Sequence, residues 1–309
     1  MDKFTEIVEE INKNFECANQ NWLLGAGISC GANIPLMMSL TERVATMLPG
    51  GETKLIYEGI TEDLPKDYHI EHVLSQLGDY IAIAERSKRG MAGINSKDYE
   101  ASKLRELHSA IIGAISETVR YGYCKSNVAC GKPEQIGKID APIIKIDSHL
   151  KFAETLLETH ANLLSRSAIS IFTTNYDTLI EDAFSLINVE VNDGFIGAAI
   201  GSWRPDISYK KPTGVNVVKL HGSVDWTADK QNGLLRTRYG VNYNLSSSEV
   251  LIYPQATKYV ETQKDPFAAL FSEFRSKISH HKDNVLIVCG YSFGDAHINS
   301  EILQALNQK

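Results

Sequence analysis

The chain has 309 residues, of which 43% are hydrophobic and 22% are charged, and its formal net charge is -7 at pH 7. A chain of this length and composition can bury a substantial core, as one large domain or two smaller ones. The net negative charge argues against a broad nucleic-acid surface, because such surfaces depend on many Lys and Arg contacts to phosphates. We therefore expect a globular protein without direct nucleic-acid binding.

The N-terminal residues predict an amphipathic helix over 2–17. Its apolar side chains share one helical stripe among acids and amides, at Phe4, Ile7, Val8, Ile11 and Phe15. This pattern differs from that of a signal peptide, and no stretch approaches the roughly 18 consecutive apolar residues that a membrane-spanning helix needs. The sequence thus predicts a cytoplasmic protein with no membrane partner.

Five cysteines are scattered along the chain, at Cys17, Cys30, Cys124, Cys130 and Cys289. An odd number without regular spacing favours reduced thiols over a disulfide framework. Only Cys124 and Cys130 lie close together, whereas a structural zinc site usually needs four ligands in two short-spaced pairs. We therefore expect no metal.

Four short apolar runs predict buried parallel strands of one sheet. They are Trp22–Leu24, Ala168–Phe172, Val215–Leu220 and Val285–Cys289. Each run is followed by polar and small residues, and open α/β sheets bind their ligands at the carboxyl ends of their strands. The pattern predicts an α/β fold with a Rossmann-like parallel sheet flanked by helices, whose core comprises 18–35 plus 167–309.

The segment 36–166 lies between the first two predicted strands and is too long for a simple crossover. Apolar residues recur at helical spacing over Lys103–Arg120 and over His149–Ser165. We expect an inserted, mainly helical module with a polar loop at Gly90–Ser96.

Two later segments, Ser202–Gly214 and Thr227–Ser248, are rich in polar residues. Both are predicted to be long surface loops. Such loops serve as lids over a site or as mobile decorations, and the sequence leaves both alternatives open.

A glycine-rich turn, Gly25-Ala26-Gly27-Ile28-Ser29, directly follows the first predicted strand. Glycines let a backbone approach a diphosphate closely, and the start of the next helix offers N–H groups to it. Cys30 stands where the full G-x-G-x-x-G/A dinucleotide fingerprint has its last small residue. The turn predicts a phosphate cradle, and a tight turn without a ligand is the alternative.

The second predicted strand runs into Thr173-Thr174-Asn175-Tyr176-Asp177. Asn175 can donate and accept hydrogen bonds, so it could hold a ribose hydroxyl or an attacking water, and Asp177 could accept from ribose hydroxyls. Alternatively, Thr174, Asn175 or Asp177 caps the helix that starts near Thr178.

The third strand runs into His221 and Gly222. A histidine can take up a proton near neutral pH, and the glycine permits close approach of a substrate. A single histidine is more often structural than catalytic, but this position beside the other strand ends favours catalysis.

The last strand is followed by Gly290-Tyr291-Ser292-Phe293-Gly294-Asp295. Two glycines, a serine and an acid predict a second cradle, suited to a ribose or an adenosine moiety. A tight turn with Asp295 as the helix N-cap is the other interpretation, and both can hold together.

In this order the four motifs resemble the SIR2 (sirtuin-like) family, specifically its bacterial branch associated with anti-phage defence. The resemblance covers about Asn21–Leu36 and Ala168–Leu303, with a weaker likeness at Tyr68–Leu74. It implies that the turn from Gly25 to Ser29 binds the diphosphate of NAD.

The resemblance also implies roles for the other three motifs. Asn175 and Asp177 would line the nicotinamide ribose, His221 would be catalytic, and Gly290 and Ser292 would contact the adenosine side. The predicted NAD-binding set further includes neighbouring residues of the same motifs, namely Thr174, Tyr291 and Asp295.

Two departures from the family bear on the activity. Protein-deacylating sirtuins usually carry a four-cysteine zinc ribbon after the catalytic histidine, and here only Cys289 follows His221. They also carry Asp-Phe-Arg after the first Ile-Pro, where this chain has Leu36 and Met37. We therefore expect an NAD+ hydrolase (NADase) that uses NAD+ as its substrate, with an NAD-dependent deacylase or a catalytically silent NAD or ADP-ribose sensor as alternatives.

Breaking the nicotinamide–ribose bond passes through an oxocarbenium-like ribose and requires no metal. We expect Asn175 to position water or the ribose hydroxyls, His221 to act as general base and Asp177 to support the ribose or the developing charge. The resemblance implies depletion of NAD+ on phage infection, which requires restraint at rest. Restraint by a homo-oligomer, by a partner such as a HerA-type ATPase or by a further domain remains open.

Overall fold

The structure is a computed structural model. It describes residues 3–15, 19–126, 132–161, 169–211, 213–229, 232–238, 249–252, 266–279 and 284–307. Within these residues the strands are β1 (Asn19–Leu24), β2 (Met91–Ile94), β3 (Lys97–Glu100), β4 (Tyr123–Cys124), β5 (Gln135–Ile136), β6 (Ser170–Thr173), β7 (Val191–Asn192), β8 (Phe195–Gly197), β9 (Ile200–Trp203), β10 (Val215–Lys219), β11 (Gly222–Asp229), β12 (Gly233–Thr237), β13 (Glu249–Ile252) and β14 (Asn284–Cys289). The α-helices are α1 (Lys3–Phe15), α2 (Met37–Met47), α3 (Glu52–Glu62), α4 (Ile70–Arg86), α5 (Ala101–Tyr121), α6 (Asp147–Ala161), α7 (Leu179–Leu186), α8 (Pro205–Ser208), α9 (Phe267–Ser279) and α10 (Ala296–Asn307).

Five strands form a parallel sheet in the order β14-β1-β6-β10-β7. In the middle of the sheet, Leu23 lies opposite Val288 on one side and Phe172 on the other. This arrangement confirms the predicted α/β fold with a parallel sheet. β1 begins three residues earlier than the predicted strand, and Ala168 lies outside the described residues.

Helices cover both faces of this sheet. Because successive residues of a strand point to opposite faces, Leu23 and Phe172 pack in a cluster with residues of α9 and α10. Their neighbours Trp22 and Ile171 pack on the other face with residues of α6 and α7. The sheet is therefore buried from both sides, which explains why its strands are continuous apolar runs.

The segment between β1 and β6 is mainly helical, as its spacing predicts. Helices α2 to α5 pack around a hydrophobic core of their own. By contrast, Ala153 and Leu156 of α6 lie in the cluster with Trp22 on the sheet. The division of the chain at 36–166 stays a prediction.

The expectation of a loop at 90–96 is wrong for most of its length. Met91–Ile94 pairs antiparallel with Lys97–Glu100, and the two residues between them, Asn95 and Ser96, have positive φ angles of 47° and 64°. Such a two-residue turn suits the twist of a hairpin. The sequence does not indicate this strand, because it is short, follows Gly90 and contains Gly93.

A second sheet is antiparallel, in the order β13-β11-β12-β9-β8. The two predicted surface loops are therefore wrong where they include the end of β9, helix α8, the end of β11 and β12. Their polar residues are not all at the surface: Arg236 of β12 is 9% exposed and pairs with buried Asp193. The rest of the second segment, 239–248, lies outside the described residues.

Three further expectations concern the N-terminal helix, the cysteines and membrane-spanning helices. Helix α1 lies within the predicted 2–17 and exposes 71% of Phe4. Cys30, Cys124 and Cys289 are free thiols, while Cys17 and Cys130 lie outside the described residues. In the described part of the chain no helix has the length and apolar character needed to span a membrane.

Candidate active site

A cavity of about 640 Å³ lies where β1, β6, β10 and β14 end. This volume is within the range of small-molecule sites. Most of the residues that the sequence predicts for the site line it: Ala26, Gly27, Ser29, Thr174, Asn175, Asp177, His221, Gly290, Tyr291, Ser292 and Asp295. Gly25 and Ile28 are the two predicted residues that do not line it.

The two glycine turns contact each other through their backbones. The N–H of Gly25 donates to the carbonyl of Cys289 and the N–H of Gly27 donates to that of Gly290, both at 2.9 Å. A Cβ on Gly25 would lie 2.5 Å from the carbonyl oxygen of Gly290, and one on Gly290 would lie 2.6 Å from the nitrogen of Ile28. These glycines are therefore required for packing one turn on the other, and the amides of Gly25 and Gly27 are already used within the protein.

Ser29 connects the first turn to the end of β6. Its Oγ accepts a hydrogen bond of 3.0 Å from Nδ2 of Asn175 and donates one of 2.9 Å to Oδ2 of Asp177. The other oxygen of Asp177 accepts from the N–H of Leu179, the first residue of α7, at 3.1 Å, although the residue at the N-cap position is Thr178. Both carboxylate oxygens of Asp177 thus have partners within the protein.

Asn175 keeps one functional atom for a ligand. Its side chain is 8% exposed, and Oδ1 has no hydrogen-bond partner among the described residues. Buried polar atoms are rarely left without a partner, so an unpaired one at a cavity wall indicates a ligand or a water. Oδ1 can accept a hydrogen bond from a ribose hydroxyl or from a water molecule.

His149 is a site neighbour that the sequence had shown only as the start of a helix. It belongs to α6, is 3% exposed, and places Nε2 3.3 Å from Oγ of Ser29. Burial lowers the pKa of His149, and the nearby Asp177 carboxylate opposes that shift. The neutral ring therefore lies within hydrogen-bond distance of Ser29.

His221 lies beside Asp295, with Nε2 3.4 Å from Oδ1 of the carboxylate. Both side chains are almost fully buried. Burial lowers the pKa of His221 to about 4, so the imidazole is neutral at pH 7 and able to accept a proton. The two facing atoms are not hydrogen-bonded to each other, so a carboxylate in this position acts on the ring through its charge, which would stabilise an imidazolium after proton uptake. Asp295 therefore has a second possible role besides the predicted contact to adenosine.

His297 completes a group of three with His221 and Asp295. Each residue offers one ligand atom, and these atoms lie within 4.8 Å of one another. It is the one such group in the described part of the chain. Histidine and carboxylate ligands suit zinc and other transition metals. The sequence offered no signal for this group because its members come from two distant segments, and the absence of a metal stays a prediction.

A further wall of the cavity is apolar. It is formed by Ile34 and Pro35, which precede the helical module, and by Leu36, Met37, Met38, Leu40 and Val119 within the module. Sequence reasoning missed it, because apolar residues at helical spacing are indistinguishable from ordinary core. One acid, Glu71 of α4, stands in this wall.

A buried ion pair lies below the site. Nζ of Lys219 lies 3.3 Å from Oε1 of Glu181, and the same ammonium donates to the backbone carbonyl of Asp177. The two side chains are 1% and 2% exposed. Lys219 therefore joins the end of β10 to the segment between β6 and α7 that carries Asn175.

Comparison with known proteins links part of this structure to a family. The family model described as a SIR2-like domain matches residues 169–309. That segment contains Asn175, Asp177, His221 and Asp295. The match supports a SIR2-like assignment for this part of the chain, and no curated protein matches in sequence.

Three solved structures are similar to the chain at low sequence identity. A structure that describes the structural basis of sirtuin substrate affinity has 14% identity and a TM-score of 0.40. The alignment covers 97% of this chain and 83% of the other. A Sir2 homologue in complex with NAD has 15% identity and a TM-score of 0.42, with coverages of 96% and 78%. Sir2Tm bound to a propionylated peptide has 14% identity and a TM-score of 0.38, with coverages of 98% and 83%.

Proposed function

We propose that the cavity binds NAD+ and that the protein hydrolyses the bond between nicotinamide and ribose. The observation that carries the proposal is that Asn175 and His221, distant in sequence, line one cavity at the carboxyl ends of neighbouring strands. The SIR2-like match over residues 169–309 supports NAD as the ligand.

In the proposed reaction the bond between C1′ of the ribose and N1 of the pyridinium breaks, and both electrons go to N1. Nicotinamide leaves as a neutral molecule, and the ribose passes through an oxocarbenium-like state. Oδ1 of Asn175, which has no partner among the described residues, accepts a hydrogen bond from the attacking water or a ribose hydroxyl.

Water then forms the new bond to C1′ and loses a proton. His221 accepts that proton; since burial makes its neutral imidazole a weak base, proton uptake depends on the carboxylate of Asp295 to stabilise the cation that results. The products are nicotinamide, ADP-ribose and a proton. Attack by the adenine instead of water would give a cyclic product.

Asp177 has an indirect role in this proposal. Its oxygens already accept from Ser29 and from the N–H of Leu179, so it holds Ser29 and thereby Asn175 in place. This differs from the expected direct contact of Asp177 to ribose, which would require that one of these hydrogen bonds opens.

The test is incubation of the full chain with NAD+ followed by chromatography of the products. We expect nicotinamide and ADP-ribose from the wild type and a loss of about 10² to 10⁴ in rate for Asn175→Ala and for His221→Ala. Matched controls are Asn12→Ala, on the exposed face of α1, and His108→Ala on α5; neither residue lines the cavity. Near-normal rates in both site variants would refute the assignment.

The same assay separates the alternatives. Release of nicotinamide only when an acetylated peptide is present would indicate a deacylase, and tight binding of NAD+ without release would indicate a sensor. A cytoplasmic role in anti-phage defence, a homo-oligomer and a HerA-type ATPase partner are parts of the same proposal. They are tested by NAD+ levels during infection and by the mass of the native assembly with and without the ATPase.

A further inference from the structure

Glu71 is a buried acid of the cavity that the proposed reaction does not use. It lies at the start of α4, is 3% exposed, and lines the cavity. Oε1 accepts a hydrogen bond of 2.7 Å from the hydroxyl of Tyr176, while Oε2 has no hydrogen-bond partner among the described residues. A buried carboxyl oxygen in this state is costly, and at a cavity wall it points to a ligand group.

The partner of Glu71 places it close to the reacting part of the site. Tyr176 stands between Asn175 and Asp177 in the chain and also lines the cavity. The other carboxyl groups of the cavity already have protein partners: Asp177 holds Ser29 and the Leu179 N–H, and Asp295 lies beside His221. Glu71 thus has an oxygen available for a ligand, whereas Oδ1 of Asp295, which also makes no hydrogen bond within the described residues, faces Nε2 of His221 at 3.4 Å.

The surroundings of Glu71 select a part of the dinucleotide. The cavity that Glu71 lines includes apolar residues of the helical module, among them Met37, Leu40 and Val119, and Ile70 beside Glu71 belongs to the same apolar cluster. The glycine turns lie at the sheet side of the cavity and suit the phosphates and riboses. A flat pyridine ring is the apolar part of NAD+ that carries a polar group at its edge, and that group is a primary carboxamide.

We propose that Glu71 recognises the carboxamide of nicotinamide and makes the site selective for pyridine-3-carboxamide dinucleotides over pyridine-3-carboxylate dinucleotides. This inference rests on the proposed function. A primary amide donates through its NH2 group and accepts through its carbonyl oxygen. A carboxyl group accepts from the NH2 group when it is ionised and donates to the carbonyl oxygen when it is protonated. A pyridine-3-carboxylate has no N–H to donate, and its charge is repelled by an ionised Glu71.

The protonation of Glu71 agrees with this geometry. Burial raises the pKa of Glu71 to about 7, the hydrogen bond from Tyr176 opposes the shift, and the charge of Asp295 adds to it. Near neutral pH a protonated form is therefore available. The protonated form presents an O–H to the amide carbonyl but can also donate to a carboxylate, so the selectivity comes from the ionised form, which accepts from the NH2 group and repels the carboxylate.

The test compares NAD+ with nicotinic acid adenine dinucleotide as substrates of the full chain. In the wild type we expect kcat/KM to favour NAD+ by about 10- to 100-fold, since sites built to hydrogen-bond a group discriminate strongly against its absence. In Glu71→Ala the preference should fall to within about threefold of parity, because the hydrogen bond to the carboxamide and the repulsion of the carboxylate are both lost. In Glu71→Gln the preference should fall at least about tenfold, since the new NH2 group can donate to a carboxylate.

A matched control is Glu58→Gln, an exposed glutamate of the same helical module, which should keep the wild-type preference. An unchanged preference in both Glu71 variants would overturn the inference. If Glu71→Ala does not fold, the ratio measured for Glu71→Gln decides alone.

Binding measurements distinguish failure of this inference from failure of the proposed function. Calorimetric titration of both dinucleotides into His221→Ala, and into His221→Ala combined with Glu71→Gln, reports the same preference without turnover. Binding of NAD+ with no effect of Glu71→Gln on the ratio would overturn only the role of Glu71. Binding of neither dinucleotide to the wild type would overturn the proposed function and the inference with it.

Discussion

The side chain of Asn175 donates a hydrogen bond of 3.0 Å to Oγ of Ser29, a residue 146 positions earlier in the chain. The bond joins the end of β6 to the turn after β1. Because Nδ2 is used in this way, the orientation of the amide is set and Oδ1 remains for a ligand. The position of Asn175 in the cavity therefore depends on a serine that the sequence pattern assigns to phosphate binding.

Ser29→Ala tests this dependence. The substitution removes the acceptor for Asn175 and the donor to Asp177, so we expect kcat for NAD+ to fall at least about tenfold, because a small misplacement of a reacting group is costly. The free energy of unfolding should fall by only about 1 kcal/mol, as for a typical lost hydrogen bond. Steady-state kinetics and urea unfolding measure the two effects.

The control for Ser29→Ala is Ser102→Ala, since Ser102 is exposed on α5 and bonds only a neighbouring surface glutamate. A rise in KM with kcat unchanged would contradict the positioning role and favour direct binding of the substrate by Ser29.

Gly290→Ala tests the packing of the two turns. The new Cβ would meet backbone atoms of Gly27 and Ile28 at 2.6 to 3.0 Å, and the residue has a φ of 63°. We expect a loss of about 1 to 3 kcal/mol in the free energy of unfolding, since the backbone of neither turn can move without losing its hydrogen bonds. Chemical denaturation measures it.

Gly113→Ala is the matched control for that substitution. Gly113 lies within α5 and a Cβ there meets nothing within 4 Å, so alanine should stabilise the protein by up to about 1 kcal/mol. Equal effects of the two substitutions would contradict the requirement for glycine at the turn.

The buried pair of Lys219 and Glu181 predicts a strong dependence of stability on both partners. Lys219→Met leaves a buried carboxyl without its ammonium and should cost about 3 to 5 kcal/mol. Adding Glu181→Leu should recover a large part of this loss, because the uncompensated charge disappears. Lys211→Met breaks the more exposed pair with Glu190 and should cost less than about 1 kcal/mol.

Denaturation of the single and double variants gives the coupling energy of Lys219 and Glu181. A double variant that is as unstable as Lys219→Met alone would show that the uncompensated charge of Glu181 does not cause the loss of stability.

The raised pKa of Glu71 predicts how stability changes with pH. The folded state holds the proton up to a pKa of about 7, whereas the ordinary value is 4.5, so the contribution of Glu71 is complete below about pH 4.5 and is lost as the pH rises through 7. Relative to Glu71→Gln, the wild type should therefore lose on the order of 3 kcal/mol between pH 5 and pH 8. If the free energies of unfolding of the two proteins change in parallel with pH over this range, the raised pKa of Glu71 is contradicted.

The group formed by His221, Asp295 and His297 predicts the response to metals. Because the proposed reaction uses none, prolonged treatment with EDTA should leave NAD+ turnover unchanged. Added Zn2+ should inhibit, since it would occupy the imidazole that accepts the proton. His297→Ala should weaken this inhibition at least about tenfold while it leaves turnover without zinc unchanged. Loss of turnover on chelation would show instead that a metal takes part in the reaction.

Much of the central sheet is readable from local patterns. Trp22–Leu24 and Val215–Leu220 are apolar runs that end in small or polar residues, and this alone predicts strands covered on both faces with ligand groups at their ends. The second sheet was not readable, since Arg236 is a polar residue whose burial depends on Asp193 at a distance of 43 positions.

The sequence by itself determined the kind of chemistry available: glycine turns, an asparagine and a histidine at strand ends, because these features depend on residue type and on neighbours in the chain. Only the tertiary structure decided the contacts of each group. It placed Asp177 on Ser29, Asp295 beside His221 and Glu71 in the wall of the same cavity. Such pairings join segments far apart in the chain, and local propensity carries no information about which distant side chain will share a buried space.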